Sequence, residues 1–177
     1  MDRVLGTVLV STDEIRNRIQ ELGLRISQDY AGKRVTIVAI LKGSFIFLAD
    51  LIRQIDPNID VEVDFMSVSS YGNGKQSSGT IRIERDVEVK VEGHDVIIVE
   101  DIVDTGLTLT QVHRIFTERG ARSVRVATLL EKPGNSKYER KLDYVGFQIP
   151  NSFVVGYGLD YAQRYRNLPD IRTLHEI

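Results

Sequence analysis

Val96-Ile97-Ile98-Val99-Glu100-Asp101-Ile102-Val103-Asp104-Thr105-Gly106-Leu107-Thr108-Leu109 is the stretch whose reading decides the fold. Its first four residues are unbroken aliphatics branched at Cβ, the pattern of a strand buried on both faces, as in a parallel sheet. Two carboxylates, Glu100 and Asp101, follow where that strand is expected to end. A short loop from Asp104 to Thr108 then carries one glycine and two hydroxyls. Beyond it Leu109, Val112 and Phe116 recur at helical spacing, with Ile115 alongside, until Gly120 supplies a stop. The unit reads as strand, acidic pair, small-residue loop and helix start.

That order has a chemical meaning. A helix start offers N–H groups without intrahelical partners and the positive end of a dipole, which suit a phosphate dianion. Thr105 and Thr108 add hydroxyl donors, and Gly106 lets the backbone approach closely. Glu100 and Asp101 would repel that phosphate, so they suit sugar hydroxyls or a divalent cation instead. A ligand with a phosphate at one end and a diol a few ångströms away is a ribose 5-phosphate. A Walker-type phosphate loop is excluded, because Gly-x-x-x-x-Gly-Lys-Ser/Thr is absent, and no Gly-x-Gly-x-x-Gly follows any strand. An ordinary βα turn with solvated acids is the alternative, and the immediate Asp-Thr-Gly-x-Thr counts against it.

Upstream, Leu5 to Val10 reads as a strand or extended arm, and Ser11-Thr12-Asp13-Glu14 as a capping box. Ile15, Ile19, Leu22 and Ile26 mark one helix face ending near Gly32. Val35 to Ile40 is a second apolar strand, and Leu41-Lys42-Gly43-Ser44 sits between its end and a helix over Phe45 to Arg53. A lysine at the carboxyl end of a strand suits a second anion, since open parallel sheets bind ligands there. Asp56-Pro57-Asn58 is a turn. Val61, Val63, Phe65 and Val68 alternate with polar residues as in a half-exposed strand. Residues 69–79 are rich in Gly and Ser and read as a mobile loop or lid, returning through Ile81 and Ile83.

Downstream, Val124 to Leu130 is a further apolar strand ending in Glu131-Lys132-Pro133-Gly134. Asp143 to Pro150 and Phe153 to Tyr161 are rich in aromatics and β formers, with Tyr144 and Phe147 read as core. His94, His113 and His175 show no ligand spacing and read as surface or helix-face residues.

The composition narrows the classes. A chain of 177 residues, 42% hydrophobic and 27% charged, is most simply one domain with a real core. A net charge of −2 advertises neither nucleic acid nor an acidic membrane, so any anion site must be local. Cysteine is absent, which excludes disulfides, thiolate catalysis and Cys-based zinc sites. No apolar run reaches ~18 residues and no basic-then-apolar leader opens the sequence, so a cytoplasmic location without membrane partners is expected.

With these residues laid out, the Val99–Leu109 segment closely resembles the phosphoribosyl pyrophosphate motif of type I phosphoribosyltransferases, most of all the hypoxanthine-guanine branch. Leu41-Lys42-Gly43 resembles that family's pyrophosphate loop, Ser70-Tyr71 with Ser78-Gly79 its flexible catalytic loop, and Phe153 to Arg166 its closing segment. The likeness runs from about residue 35 to 170. It implies an α/β fold: a central, mainly parallel, twisted sheet flanked by helices, with a small hood and a flexible β-hairpin lid. Its implied boundaries are a core over about 10–130, a hood from the N-terminal arm and about 131–177, and a flexible loop over about 69–80.

The resemblance further implies roles. Glu100, Asp101, Asp104, Thr105, Gly106, Leu107 and Thr108 would bind the ribose and its 5-phosphate, with Asp104 as general base toward purine N7. Leu41, Lys42, Gly43 and Arg166 would hold pyrophosphate, across a Leu41–Lys42 peptide that is often cis in the family. Lys132, Phe153, Val154 and Asp160 would receive the purine, Lys132 donating to its 6-oxo group and Phe153 stacking. Glu100, Asp101 and Asp160 would engage Mg²⁺, and Ser70 and Tyr71 belong to the lid. Leu107 stands where some relatives carry Lys, which leaves the phosphate to N–H groups and hydroxyls. The implied reaction is purine salvage from phosphoribosyl pyrophosphate, by a homodimer or homotetramer. A xanthine preference, and a regulatory RNA-binding use of the same fold, stay open here, although the latter asks for a basic face and the charges are mixed.

Overall fold

A computed structural model describes residues 3–70 and 81–176. In chain order the elements are β1 (Arg3–Val10), α1 (Thr12–Asp29), β2 (Arg34–Leu41), α2 (Phe45–Ile52), β3 (Asp60–Ser70) and β4 (Ile81–Arg85). There follow β5 (Asp95–Val103), α3 (Leu107–Glu118), β6 (Ser123–Glu131), β7 (Tyr144–Gln148), β8 (Val154–Val155) and β9 (Ile171–Glu176). The capping box forms as read: Ser11 N–H donates to Glu14 Oε2 at 2.8 Å, and Glu14 N–H donates to Ser11 Oγ at 3.3 Å.

Six strands make the larger sheet in the order β4-β3-β2-β5-β6-β7, parallel throughout except for β4 at its edge. The unbroken aliphatic runs earn their burial on both faces. Ile37, Ala39, Ile97 and Val99 point into a core with α1 and α2, whereas Val38, Ile40, Val96 and Ile98 point into a second core under α3. Strand alternation thus splits one apolar run between two layers of helices. The smaller sheet, β1-β9-β8, is antiparallel and joins the N-terminal arm to the C-terminal strand, with Val4 opposite His175 and Val154 opposite Thr173.

Three readings change. β5 does not end before the acidic pair but continues through Glu100 and Asp101 to Val103, because β6 keeps pairing with it as far as Glu131. The polar positions of β3 are not all exposed: Asp64 is buried, and its carboxylate accepts the N–H groups of Phe65, Glu88 and Val89 at 2.7, 2.6 and 3.1 Å. Finally, residues beyond about 131 do not pass wholly to the smaller sheet. β7 returns as the edge of the larger one, where Tyr144 is buried and its hydroxyl donates to Asp29 at 2.6 Å. The lid reading at 71–80, including Tyr71, lies outside the described residues. Among the described residues no helix is long and apolar enough to cross a membrane.

The strand order sets where a ligand can sit. From β2 the chain crosses to β3 on one side, and from β5 to β6 on the other, so β2 and β5 are neighbours whose exit loops diverge. That switch point opens a crevice at the carboxyl ends of the two strands.

Candidate active site

The two loops at the switch point are the Lys42 loop and the Asp104–Gly106 loop. After β2, the Leu41–Lys42 peptide is cis. Ser44 Oγ donates back to Ile40 O at 2.5 Å, which fixes the loop against its strand. Gly43 is wedged between two parts of the site: a methyl group there would overlap the Asp101 carboxylate, and its carbonyl oxygen fills the space that a Gly158 side chain would need. Glycine at both positions is therefore a packing requirement, and at Gly158 the φ of +99° adds a conformational one.

Across the crevice, α3 starts at Leu107, two residues before the Leu109 at which the helical spacing begins, with Gly106 as its N-cap at φ 71°. The first turn carries no acidic side chain, so its dipole end is free to attract an anion. The loop is held from behind by the segment after β6. Lys137 N–H donates to Thr105 O at 2.7 Å, and a Cβ on Gly106 would come within 2.7 Å of Tyr138 Cβ. Leu41, Lys42, Gly43, Glu100, Asp101, Asp104, Thr105, Gly106, Leu107, Thr108, Asp160 and Arg166 all line one cavity of about 360 Å³.

The acidic pair is less of a pair than the sequence implied. Successive side chains of a strand leave opposite faces. Asp101 accordingly lies toward Gly43, and Glu100, only 8% exposed, lies in line with Val96 and Ile98 on the α3 side. Burial pushes the Asp101 carboxyl up to about 6, against the pull of its hydrogen bond from Ile102 N–H at 2.8 Å. Glu100 is pushed well above the usual carboxylate range, first by burial and then by the charge of Asp101. Two carboxylates short of neutralising charge suit a cation or a set of hydroxyls. Among the described residues, however, no three His, Cys, Asp or Glu side chains are grouped to hold a metal, so Glu100, Asp101 and Asp160 form no common cage.

A second cavity of about 260 Å³ opens beside the first, lined by Asp101, Ile102, Asp104, Lys132, Phe153, Val154, Leu159 and Asp160. Phe153 is 47% exposed at its mouth, and its ring stands edge-on to Tyr161 with centroids 5.9 Å apart. Lys132 is buried with its Nζ 3.0 Å from Asp104 Oδ2. The other oxygen, Asp104 Oδ1, accepts from Asn135 Nδ2 at 3.1 Å. Asp160 meets Arg166 at 2.8 Å, and Arg166 also donates to Gly158 O at 2.7 Å and Gln163 Oε1 at 3.1 Å. The guanidinium is thus committed to the closing segment as well as lining the first cavity. Ser70 ends β3, and its side chain falls outside the description.

Sequence reasoning missed Asn135, Gly158 and the Tyr157 hydroxyl that donates to Asp50. Asn135 had one signal, its place in the Lys-Pro-Gly-Asn turn after a strand. Gly158 and Tyr157 had none, since their partners lie more than a hundred residues upstream.

With that geometry in hand, comparison with known proteins is specific. Residues 11–162 match the family model described as phosphoribosyl transferase domain. The hypoxanthine-guanine phosphoribosyltransferase of Bacillus subtilis is 48% identical over 174 residues, covering 98% of this chain and 96% of that one. Its counterpart of the same description in Streptococcus pneumoniae is 53% identical over 176 residues, covering 99% and 97%. A solved hypoxanthine-guanine phosphoribosyltransferase from Bacillus anthracis superposes with a TM-score of 0.92 at 40% identity, covering 99% of this chain and all of that one. On these matches over nearly its whole length, the chain belongs to the phosphoribosyltransferases, in their hypoxanthine-guanine branch.

Proposed function

We propose that this chain transfers the 5-phosphoribosyl group from phosphoribosyl pyrophosphate to N9 of hypoxanthine or guanine, giving IMP or GMP and pyrophosphate. The observation that carries this reading is the single cavity in which an anion-seeking helix start, a buried and a half-buried acid and the Lys42 loop converge at the β2/β5 switch point. The kinship with hypoxanthine-guanine phosphoribosyltransferases over nearly the whole chain supports the same chemistry.

The N–H groups of Leu107 and Thr108, with the hydroxyls of Thr105 and Thr108, grip the 5-phosphate. Asp101 and Glu100, which both line the first cavity, hold the sugar hydroxyls, and their charge favours the cationic sugar that develops as the C1–O bond breaks. Lys42, Gly43 and Arg166 receive the departing pyrophosphate, with Arg166 freed from Asp160 to present its planar fork. N9 attacks C1 as that bond breaks, and Asp104 takes the proton from N7. Phe153 stacks on the purine, the Val154 backbone meets its edge, and Lys132 donates to the 6-oxo group. The smaller sheet with residues 150–166 acts as a hood, and the loop over 69–80 as the lid that keeps water from the sugar.

Mg²⁺ fits the donor set. Mg²⁺ is commonly held by one or two protein carboxylates together with substrate oxygens, which agrees with acids that, among the described residues, form no closed cage. Asp101 and Glu100 on the sugar side and Asp160 on the pyrophosphate side are the residues that would hold it. When bound it neutralises charge on the leaving pyrophosphate.

The test is initial rate with phosphoribosyl pyrophosphate, Mg²⁺ and, in turn, hypoxanthine, guanine, xanthine and adenine. Turnover with the first two supports the reading. A dominant rate with xanthine reassigns the acceptor, and no turnover with any of them removes the function. Gel filtration of the same preparation tests the further proposal of a homodimer or homotetramer.

A further inference from the structure

We propose that Asn135 is a positioning residue for the transfer, holding the Asp104 carboxylate in the orientation from which it takes the purine proton. The inference rests on the reading of Asp104 as general base and adds to it a residue outside the motif.

The geometry is specific. A carboxylate only accepts hydrogen bonds, so the contact of 3.1 Å with Asp104 Oδ1 obliges Asn135 to present its NH₂ group there. The other oxygen faces Lys132 Nζ at 3.0 Å. Lys132, however, has a second duty, because its ammonium is the donor for the 6-oxo group. When a purine draws Lys132 toward that oxygen, the grip on Oδ2 loosens at the moment when Oδ2 must receive the proton from N7. Asn135 has no such competing duty. It keeps Oδ1 bonded while Oδ2 turns from Lys132 to the purine, and it neither gains nor loses a proton in the step.

Two features suit Asn135 to this task. Its segment is fastened to the loop that it serves, because Lys137 N–H donates to Thr105 O at 2.7 Å and Tyr138 packs behind Gly106. On the other side Lys132 N–H donates to Val103 O at 3.0 Å, so backbone contacts flanking both residues register the amide against the carboxylate. The amide is also neutral, so it directs the carboxylate without adding a second positive charge beside a group that must act as a base. With a side chain 43% exposed, Asp104 would otherwise be free to rotate toward water.

The experiment compares Asn135→Ala and Asn135→Asp in the native chain and in an Asp104→Asn background, measuring kcat and both KM values. In the native background Asn135→Ala should lower kcat on the order of tenfold, the worth of one hydrogen bond to a charged group, with KM values near native. Asn135→Asp keeps shape and volume but sets carboxylate against carboxylate, so it should lower kcat further. A purely structural role predicts the reverse ranking. In the Asp104→Asn background neither substitution should lower kcat again, because the group that they act through is gone. Native kcat in Asn135→Asp, a loss confined to KM, or an equal further loss in the Asp104→Asn background would each overturn the proposal. If Asp104→Asn alone keeps native turnover, the base reading falls, and this one with it.

Discussion

Gly158→Ala should cripple the enzyme from outside the reacting atoms, and the structure gives the size of the effect. Gly158 has a φ of +99°, where an L side chain is strained by ~1–3 kcal/mol. The added methyl would also overlap the carbonyl oxygen of Gly43, a backbone atom that cannot swing aside as a flexible side chain can. Something must move, and Gly43 is itself backed by the Asp101 carboxylate, so the Lys42 loop and Asp101 shift together. A displacement of about 1 Å in groups that position a substrate can cost ~10²-fold. The expected result is kcat/KM for phosphoribosyl pyrophosphate lowered about a hundredfold, with unfolding free energy lowered by ~2 kcal/mol. Gly93→Ala is the control. Its φ is +73°, yet nothing lies within 4 Å of the added methyl, so it carries the backbone strain alone. Urea denaturation should show a loss of stability in both variants, the larger in Gly158→Ala, and steady-state assay should show a loss of kcat/KM only in Gly158→Ala. Native kcat/KM in a folded Gly158→Ala protein would refute the claim that the Gly43–Gly158 contact sets the loop.

Asp104→Asn should keep binding of phosphoribosyl pyrophosphate, seen by titration calorimetry, while turnover falls by ~10²–10⁴. Adenine should be a poor acceptor, by ~10⁴ in kcat/KM relative to hypoxanthine, because Lys132 would face a 6-amino donor and be left unpaired; comparable rates would remove Lys132 from its role. Asp101 gives a pH dependence. Its carboxyl, pushed up to about 6 in the fold from 3.8, holds a proton that the unfolded chain releases, so this group's contribution to stability falls as pH rises through that window. In metal-free buffer the stability of Asp101→Asn relative to the native chain should therefore rise by up to ~3 kcal/mol between pH 4 and pH 7, and a flat difference by urea titration would contradict the buried-acid reading.

The alternation of the larger sheet was legible because burial on both faces leaves unbroken aliphatic runs, as in Val96–Val99 and Val35–Ile40, and those runs need no knowledge of partners. The helix after Gly106 and the capping box at Ser11 were legible for the same reason, since both are fixed by residues a few positions apart. Many of the residues that line the first cavity were legible because the Glu100–Thr108 segment is contiguous in the chain. Contiguity also misled. Glu100 and Asp101 read as a pair, but pairing with β6 prolongs the strand through them, and a strand sends neighbours to opposite faces.

What the sequence determined by itself, then, is local: which segments are strands or helices, and which short loop leads into a helix start free of acidic side chains. The tertiary structure alone decided that Lys132 and Asn135 take hold of opposite oxygens of Asp104, that Asp101 and Gly158 clamp Gly43, and that Asp64 is buried under three N–H groups. Apart from the N–H of neighbouring Phe65, those contacts join residues from about twenty to more than a hundred positions apart, and chain separation carries no signal of which pairs meet until the strand order brings them together.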